Sequence, residues 1–393
     1  MKDFWAEGLQ NHRKGKIKKI IILILLLLLL ITIISLIIVY YNNRKFRNWC
    51  DEKILRKEIS AEDVRYIELE EDETSQVYAY DKYICVLRKK VLELYDRLGN
   101  KISSIEIDIN NAEFASAGRY LAICEKNGQK FYLISGKEKI FENKIEGNIS
   151  QISVSGSGYV AIVISNTSYK SVVDVYDRSG TSIFKRNLVT SRVADISISP
   201  DSKYLAIAEV DISGILIKSS IQVISMEKAQ KNSKEALLYK HEAEINRLIL
   251  NIEYQEEKLI CMYNDSIEIL KEEENTKIIK LENTKIAFTT IKLRNRITIV
   301  KEISTGEYST DTQVNIINPQ NNKTKQYIVG DVAKDIKTYD NKIAINFGTE
   351  LHIIDTRGIL KKKYISDIEI NDIVMTDNLV GIVYKDKISI IKL

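Results

Sequence analysis

The chain has 393 residues, 45% of them hydrophobic and 28% charged, which supplies a packed core and excludes a disordered chain. Its formal charge of +4 is unevenly held, because residues 1–60 carry 12 Lys/Arg against 5 Asp/Glu and the remainder carries 46 against 49. A nearly neutral body gives no electrostatic case for nucleic acid, so no nucleic-acid partner is expected.

Residues 1–19 form a polar tail with Arg13, Lys14, Lys16, Lys18 and Lys19. The next segment begins at Ile20 and ends at Tyr41, and it contains no charge. As a helix it reaches roughly 33 Å, enough for a bilayer. It exceeds a secretory apolar region, and no small-residue cleavage site follows. A single transmembrane helix is therefore predicted, with the lipid bilayer as its partner. Tyr40, Tyr41, Phe46 and Trp49 suit the headgroup level at its exit. Both flanks are basic, but the leading one is denser, and a short tail stays in the cytoplasm more readily than a long folded domain does. The expected arrangement is a cytoplasmic N-terminus and an extracytoplasmic body in the cell membrane. Residues 42–62 read as a charged, helical juxtamembrane stalk, in which Cys50 is a free thiol. The other cysteines, Cys85, Cys124 and Cys261, lie in apolar runs and read as small buried hydrophobes, so no disulfide framework is expected.

From residue 63 to 393 one unit recurs. Its clearest copy is residues 195–225, three short alternating runs separated by turn residues, the period-2 pattern of half-buried strands. The third run of the unit appears eight times, at residues 90–96, 130–135, 172–177, 220–225, 266–270, 312–317, 350–355 and 387–391. Intervals of roughly 40 residues match four-stranded propeller blades. Asp96 with Gly99, Asp177 with Gly180 and Asp355 with Gly358 place the same Asp-x-x-Gly turn after three of these runs, where it would join a third strand to a fourth. The prediction is an all-β, eight-bladed β-propeller preceded by one N-terminal transmembrane helix, with seven blades and an extra terminal pair as the alternative. The chain ends on a third strand, while residues 64–69 precede the first complete repeat. The two are expected to pair and close the ring, since an open edge is an aggregation template.

Residues 197–208, Ser-Ile-Ser-Pro-Asp-Ser-Lys-Tyr-Leu-Ala-Ile-Ala, resemble the strand-turn-strand of WD40-like, lactonase-like and other bacterial propeller repeats. Looser copies lie at residues 114–123 and 153–163. The chain resembles an uncharacterised family of bacterial single-pass proteins with a propeller-like ectodomain, a domain of unknown function. That resemblance implies no catalytic residue, and the Gly-His and Trp-Asp signatures of WD40 blades are missing.

His12, His241 and His352 are too few and too scattered for a catalytic triad or a multi-histidine metal site. His352 reads as a strand-face residue and His241 as a solvated strand end or loop. No nucleotide-binding, nucleophile-elbow or calcium-loop motif occurs, so no cofactor, metal or catalytic residue is expected. Carboxylates converging from different blades would leave no mark in the sequence. The expected function is a protein- or glycan-binding scaffold of the bacterial cell envelope. The alternative is an extracytoplasmic enzyme or cofactor-binding propeller. Three connections between second and third strands are long, at residues 166–170, 210–218 and 302–310. They put Tyr169, Ile212, Ile215 and Tyr308 on one face as candidate partner-binding residues.

Overall fold

The structure is a computed structural model, and it describes residues 3–393 apart from 56, 60–63, 71–74, 272–273, 282–284 and 307–308. Two compact units occur, residues 1–58 and residues 59–393. In the first, the helix Asp3–Asn42 contains the stretch Ile21–Asn42, with mean hydropathy 3.6 and no burial. It is long and apolar enough to cross a membrane. Asn43 ends it by leaving helical geometry, and its side chain accepts a hydrogen bond from the Phe46 amide to cap a second helix, Arg44–Trp49. A π-helical turn, Cys50–Ile54, continues the helical stalk. Asp51 then accepts from Tyr40 Oη at 2.6 Å and pairs with Lys57 Nζ at 2.6 Å. Cys50 is a free thiol, as expected, and is buried.

The second unit is a ring of eight four-stranded antiparallel sheets. Seven are built from consecutive strands, such as Gln76–Tyr80, Tyr83–Arg88, Val91–Tyr95 and Lys101–Glu106 in blade one. The eighth combines Asp372–Met375, Leu379–Val383 and Lys387–Lys392 with Arg65–Glu68 as its outermost strand. Arg65 opposes Ile390, Ile67 opposes Ile388 and Glu68 opposes Lys387, which sets aside the seven-bladed alternative and gives the expected closure. All eight recurrent runs are third strands.

Each blade grades outward. Second and third strands lie between two blades and are apolar on both faces, as in Val160–Ser165 and Ser171–Tyr176, whereas fourth strands such as Glu138–Lys144 face solvent. The core is therefore a set of interfaces between blades. Tyr80, Leu87 and Leu94 of blade one pack with Leu121, Ile123 and Tyr132 of blade two, and Ile67, Ile388 and Ile390 of blade eight pack on Ile84 and Val86 of blade one.

The Asp-x-x-Gly turns do what their residues dictate. The Asp96 carboxylate accepts the amides of Leu98 and Asn100 at 2.8 and 3.0 Å, and Asp177 and Asp355 repeat this pattern on their own turns. Gly99 has φ +80°, and a Cβ there would lie 2.7 Å from the Tyr66 carbonyl oxygen of the closing strand. The propeller-like turn at residues 199–203 is held by Ser199 Oγ, which accepts the amides of Lys203 and Tyr204. Ser202 takes φ +61° at the position where the looser copies of the unit carry Gly118 and Gly158.

The closing strand is the testable element. Ile67→Ala at this buried position should cost about 2–4 kcal/mol, and deleting residues 64–69 should lower the melting temperature of the whole domain. An unchanged melt followed by circular dichroism would contradict this closure.

Candidate functional site

Antiparallel strands within a blade alternate in direction, so connections between second and third strands share one face with the connections between blades. Turns between first and second strands open on the opposite face. Two chemically different surfaces result.

On the first face the long connections are shorter than expected, because pairing extends the strands to Asp211 and from Lys218 in blade four, and to Ser304 and from Thr310 in blade six. What remains is residues 166–170, 212–217 and 305–309. Tyr308 lies outside the described residues. Tyr169, Ile212 and Ile215 are exposed, and structure brings them together with residues the sequence reading missed. Lys170 donates its amide to Leu188 O at 2.9 Å, which sets Tyr169 beside the connection that carries exposed Val189. Asp211 bonds Thr190 in that connection, and Asn246 donates its amide to Ile217 O at 2.9 Å, beside exposed Ile245. Val189, Ile212, Ile215, Leu216 and Ile245 are thus exposed aliphatic side chains on three adjoining segments of one face. Lone exposed apolar residues are ordinary, and it is their grouping on adjoining connections that distinguishes this face.

The second surface is the channel. A cavity of about 720 Å³ is lined by first strands from blades one to five and seven, with Lys292 from blade six, and reaches the turns at Gly118, Gly156, Pro200 and Asp340. First strands present unpaired backbone to this channel, and neighbouring blades cap it. Asp195 accepts the amides of Ile252 and Ile196 at 2.9 Å, Ser197 Oγ accepts the Tyr254 amide at 3.0 Å, and Gln151 Nε2 donates to Ala194 O at 2.7 Å. Glu113, Asp195 and Glu253 come from blades two, four and five, and Lys292 faces all three. Burial pushes the Glu253 carboxyl up to about 7, against the pull of Lys292 and with a further push from Asp195. Asp195 is also raised by burial, offset in part by its backbone hydrogen bonds, and Glu113 is raised by burial.

The histidines lie elsewhere. His352 is buried in a third strand, 2.9 Å from Tyr327 Oη through Nδ1 and 3.2 Å from Glu350 through Nε2. Burial, with Lys363 beside it, lowers its pKa to about 4, so it is a neutral structural group at physiological pH. His241 lies at a strand end, as its sequence suggested, and is half-buried. It sits within the outer strand Leu237–Glu242, 3.7 Å from Glu268.

The architecture defines an eight-bladed β-propeller carried behind one apolar helix. By family, the chain belongs to the family of unknown function DUF5711, whose model matches residues 55–393. Among solved structures it is similar to BamB from Moraxella catarrhalis, at 11% identity and TM-score 0.53, covering 86% of this chain and 99% of that one. It is also similar to the dihydro-heme d1 dehydrogenase NirN, at 13% identity and TM-score 0.50, covering 84% and 70%. The WD40 domain of Neurospora crassa Pan2 matches at 12% identity and TM-score 0.46, covering 71% and 87%. Likenesses at these identities speak to fold alone. A comparison with curated proteins finds no match.

Glu253 gives a pH prediction. An acid whose folded pKa exceeds its unfolded value holds its proton more tightly when folded, so its stabilising contribution is complete below the ordinary carboxylate range and is lost as pH rises through about 7. Glu253→Gln should therefore gain melting temperature relative to wild type as pH rises from about 5 to about 8. A difference that stays constant or shrinks across that range would overturn the assignment.

Proposed function

We propose that this chain is a membrane-anchored binding module of the cell envelope, with its N-terminus in the cytoplasm and its propeller outside, and that it binds rather than catalyses. The observation that carries the reading is the apolar group Val189, Ile212, Ile215, Leu216 and Ile245 on one face of a rigid ring. Aliphatic side chains offer no hydrogen bonds to sugar hydroxyls, so the surface favours a protein partner over a glycan. Tyr169 at its margin adds an amphipathic ring of the kind that anchors protein interfaces. The apolar helix supplies the membrane partner, and the denser basic charge before it supports the orientation.

The partner surface is tested by crosslinking in cells, solubilisation and recovery through a C-terminal tag. A chain carrying Tyr169→Ser, Ile212→Ser and Ile215→Ser should keep its melting temperature and lose the discrete partner that wild type retains. Equal recovery from both proteins would remove this surface as the binding site. Orientation is tested separately with reporters fused after Leu393. A reporter active only outside the cytoplasm is expected, and one active only in the cytoplasm would reverse the topology.

A further inference from the structure

The channel has its own chemistry, and it opens at the turns on the face opposite the apolar patch. We propose that it binds a small organic cation, a ligand presenting primary ammonium groups to Glu113, Asp195 and Glu253.

Size comes first. A cavity of about 720 Å³ falls within the range that encloses a small molecule, and it is lined by Tyr78 and Tyr339 as well as by carboxylates. Charge comes second. Lys292 is the one basic residue of that lining, against Glu113, Asp195, Glu253 and Asp340, and Asp340 is already engaged by Arg294 at 3.3 Å. Three carboxyl groups against one ammonium make the lining acidic, and Glu253, held up by burial, would give up its proton as an ammonium ligand arrives.

Unmet hydrogen-bonding capacity is the third observation, and it separates this cavity from an ordinary acidic surface. Burial, Asp195 and Lys292 account for the environment of Glu253, and burial, Lys126 and Lys292 for that of Glu113; neither carboxylate receives a hydrogen bond among the described residues. Glu253 is half-buried and lines the void. A carboxylate partly withdrawn from water and without protein donors is poorly solvated, and a cation that brings N–H groups supplies both charge and donors. Lys292 does not do this, since it forms no ion pair with these groups among the described residues and remains exposed. Aromatic faces near the carboxylates favour the same class, because Tyr78, stacked on Phe114 at 4.9 Å, and Tyr339 offer π-surface to an ammonium or to the methylenes between two of them. A bare metal ion fits less well. Among the described residues no three His, Cys, Asp or Glu side chains converge to hold one.

The test is isothermal titration calorimetry on the full-length chain in detergent, with spermidine as probe and its fully acetylated, uncharged analogue as control. Saturable binding tighter than about 1 mM is expected for spermidine and none for the analogue, with affinity falling as salt is added. Glu253→Gln should weaken binding at least about tenfold. Glu113→Gln should weaken it as well, and it provides a second variant should the first not fold. Glu227→Gln, on an exposed helix, should leave binding unchanged. Absence of spermidine binding to wild type, equal binding of the acetylated analogue, or wild-type affinity in natively melting Glu253→Gln and Glu113→Gln chains would each overturn the proposal. Partner recovery through the opposite face is a separate readout, so failure here leaves that reading standing.

Discussion

The ring depends on one pairing, that of Arg65–Glu68 with Lys387–Lys392. Each blade buries its two faces only against its neighbours, so an open ring would expose both sides of a seam and leave a sheet edge unpaired. The closing strand meets both needs. Ile67 enters the core shared by blades eight and one, while the Tyr66 backbone is the surface against which the Gly99 turn of blade one closes. These contacts join residues more than 300 positions apart, so their loop-closure entropy must be met before the seam stabilises anything. The domain is accordingly a single cooperative object at its seam, even though its units repeat.

A second constraint explains how a propeller forms without WD40 signatures. The centre of every third strand carries a polar or amphipathic residue opposite an apolar one in the second strand: Glu93 opposes Val86, Tyr132 opposes Ile123, Asp174 opposes Ile162, Glu268 opposes Cys261 and His352 opposes Ile345. Each finds its own local partners. Glu93 takes Arg88, Tyr95 and Lys101, Asp174 takes Tyr176 and Ser182, and Glu268 takes Arg247. A buried polar group must be paired, but the fold does not prescribe with what. One register position therefore holds different residues with different local partners, and no shared motif survives in the sequence.

This divides what was legible from what was not. Period-2 alternation, the Asp-x-x-Gly turns and the unpaired run before the first repeat are local signals, and they were sufficient for the third strands, the blade number and the closing strand. The extra strand residues at Val210 and Asp211 or Ile303 and Ser304 were not, because polar hairpin ends look like loop until their partners are known. Glu113, Asp195 and Glu253 were hidden more deeply. Each is one polar residue in an alternating strand, indistinguishable in sequence from a solvent-facing one, and only ring closure turns them toward a common void. Their one local signal was a carboxylate near the middle or inner end of first strands, which periodicity alone assigns to solvent.

Blade four ties the two surfaces together. Its first strand carries Asp195 into the channel, and its second and third strands project the turn with Ile212 and Ile215 on the opposite face. Asp195 opposes Ala208, and the same ladder runs on through Arg192 opposite Val210 to the base of that turn. Buried neighbours on both sides, Ile196 and Leu205 toward blade three and Ala206 and Ala208 toward blade five, hold this sheet in place. A well-packed sheet moves as a body or not at all. Occupancy of the channel would therefore reach the apolar face only by tilting blade four, which would break both interfaces of the ring. The fold thus favours two surfaces that act independently over one that signals to the other.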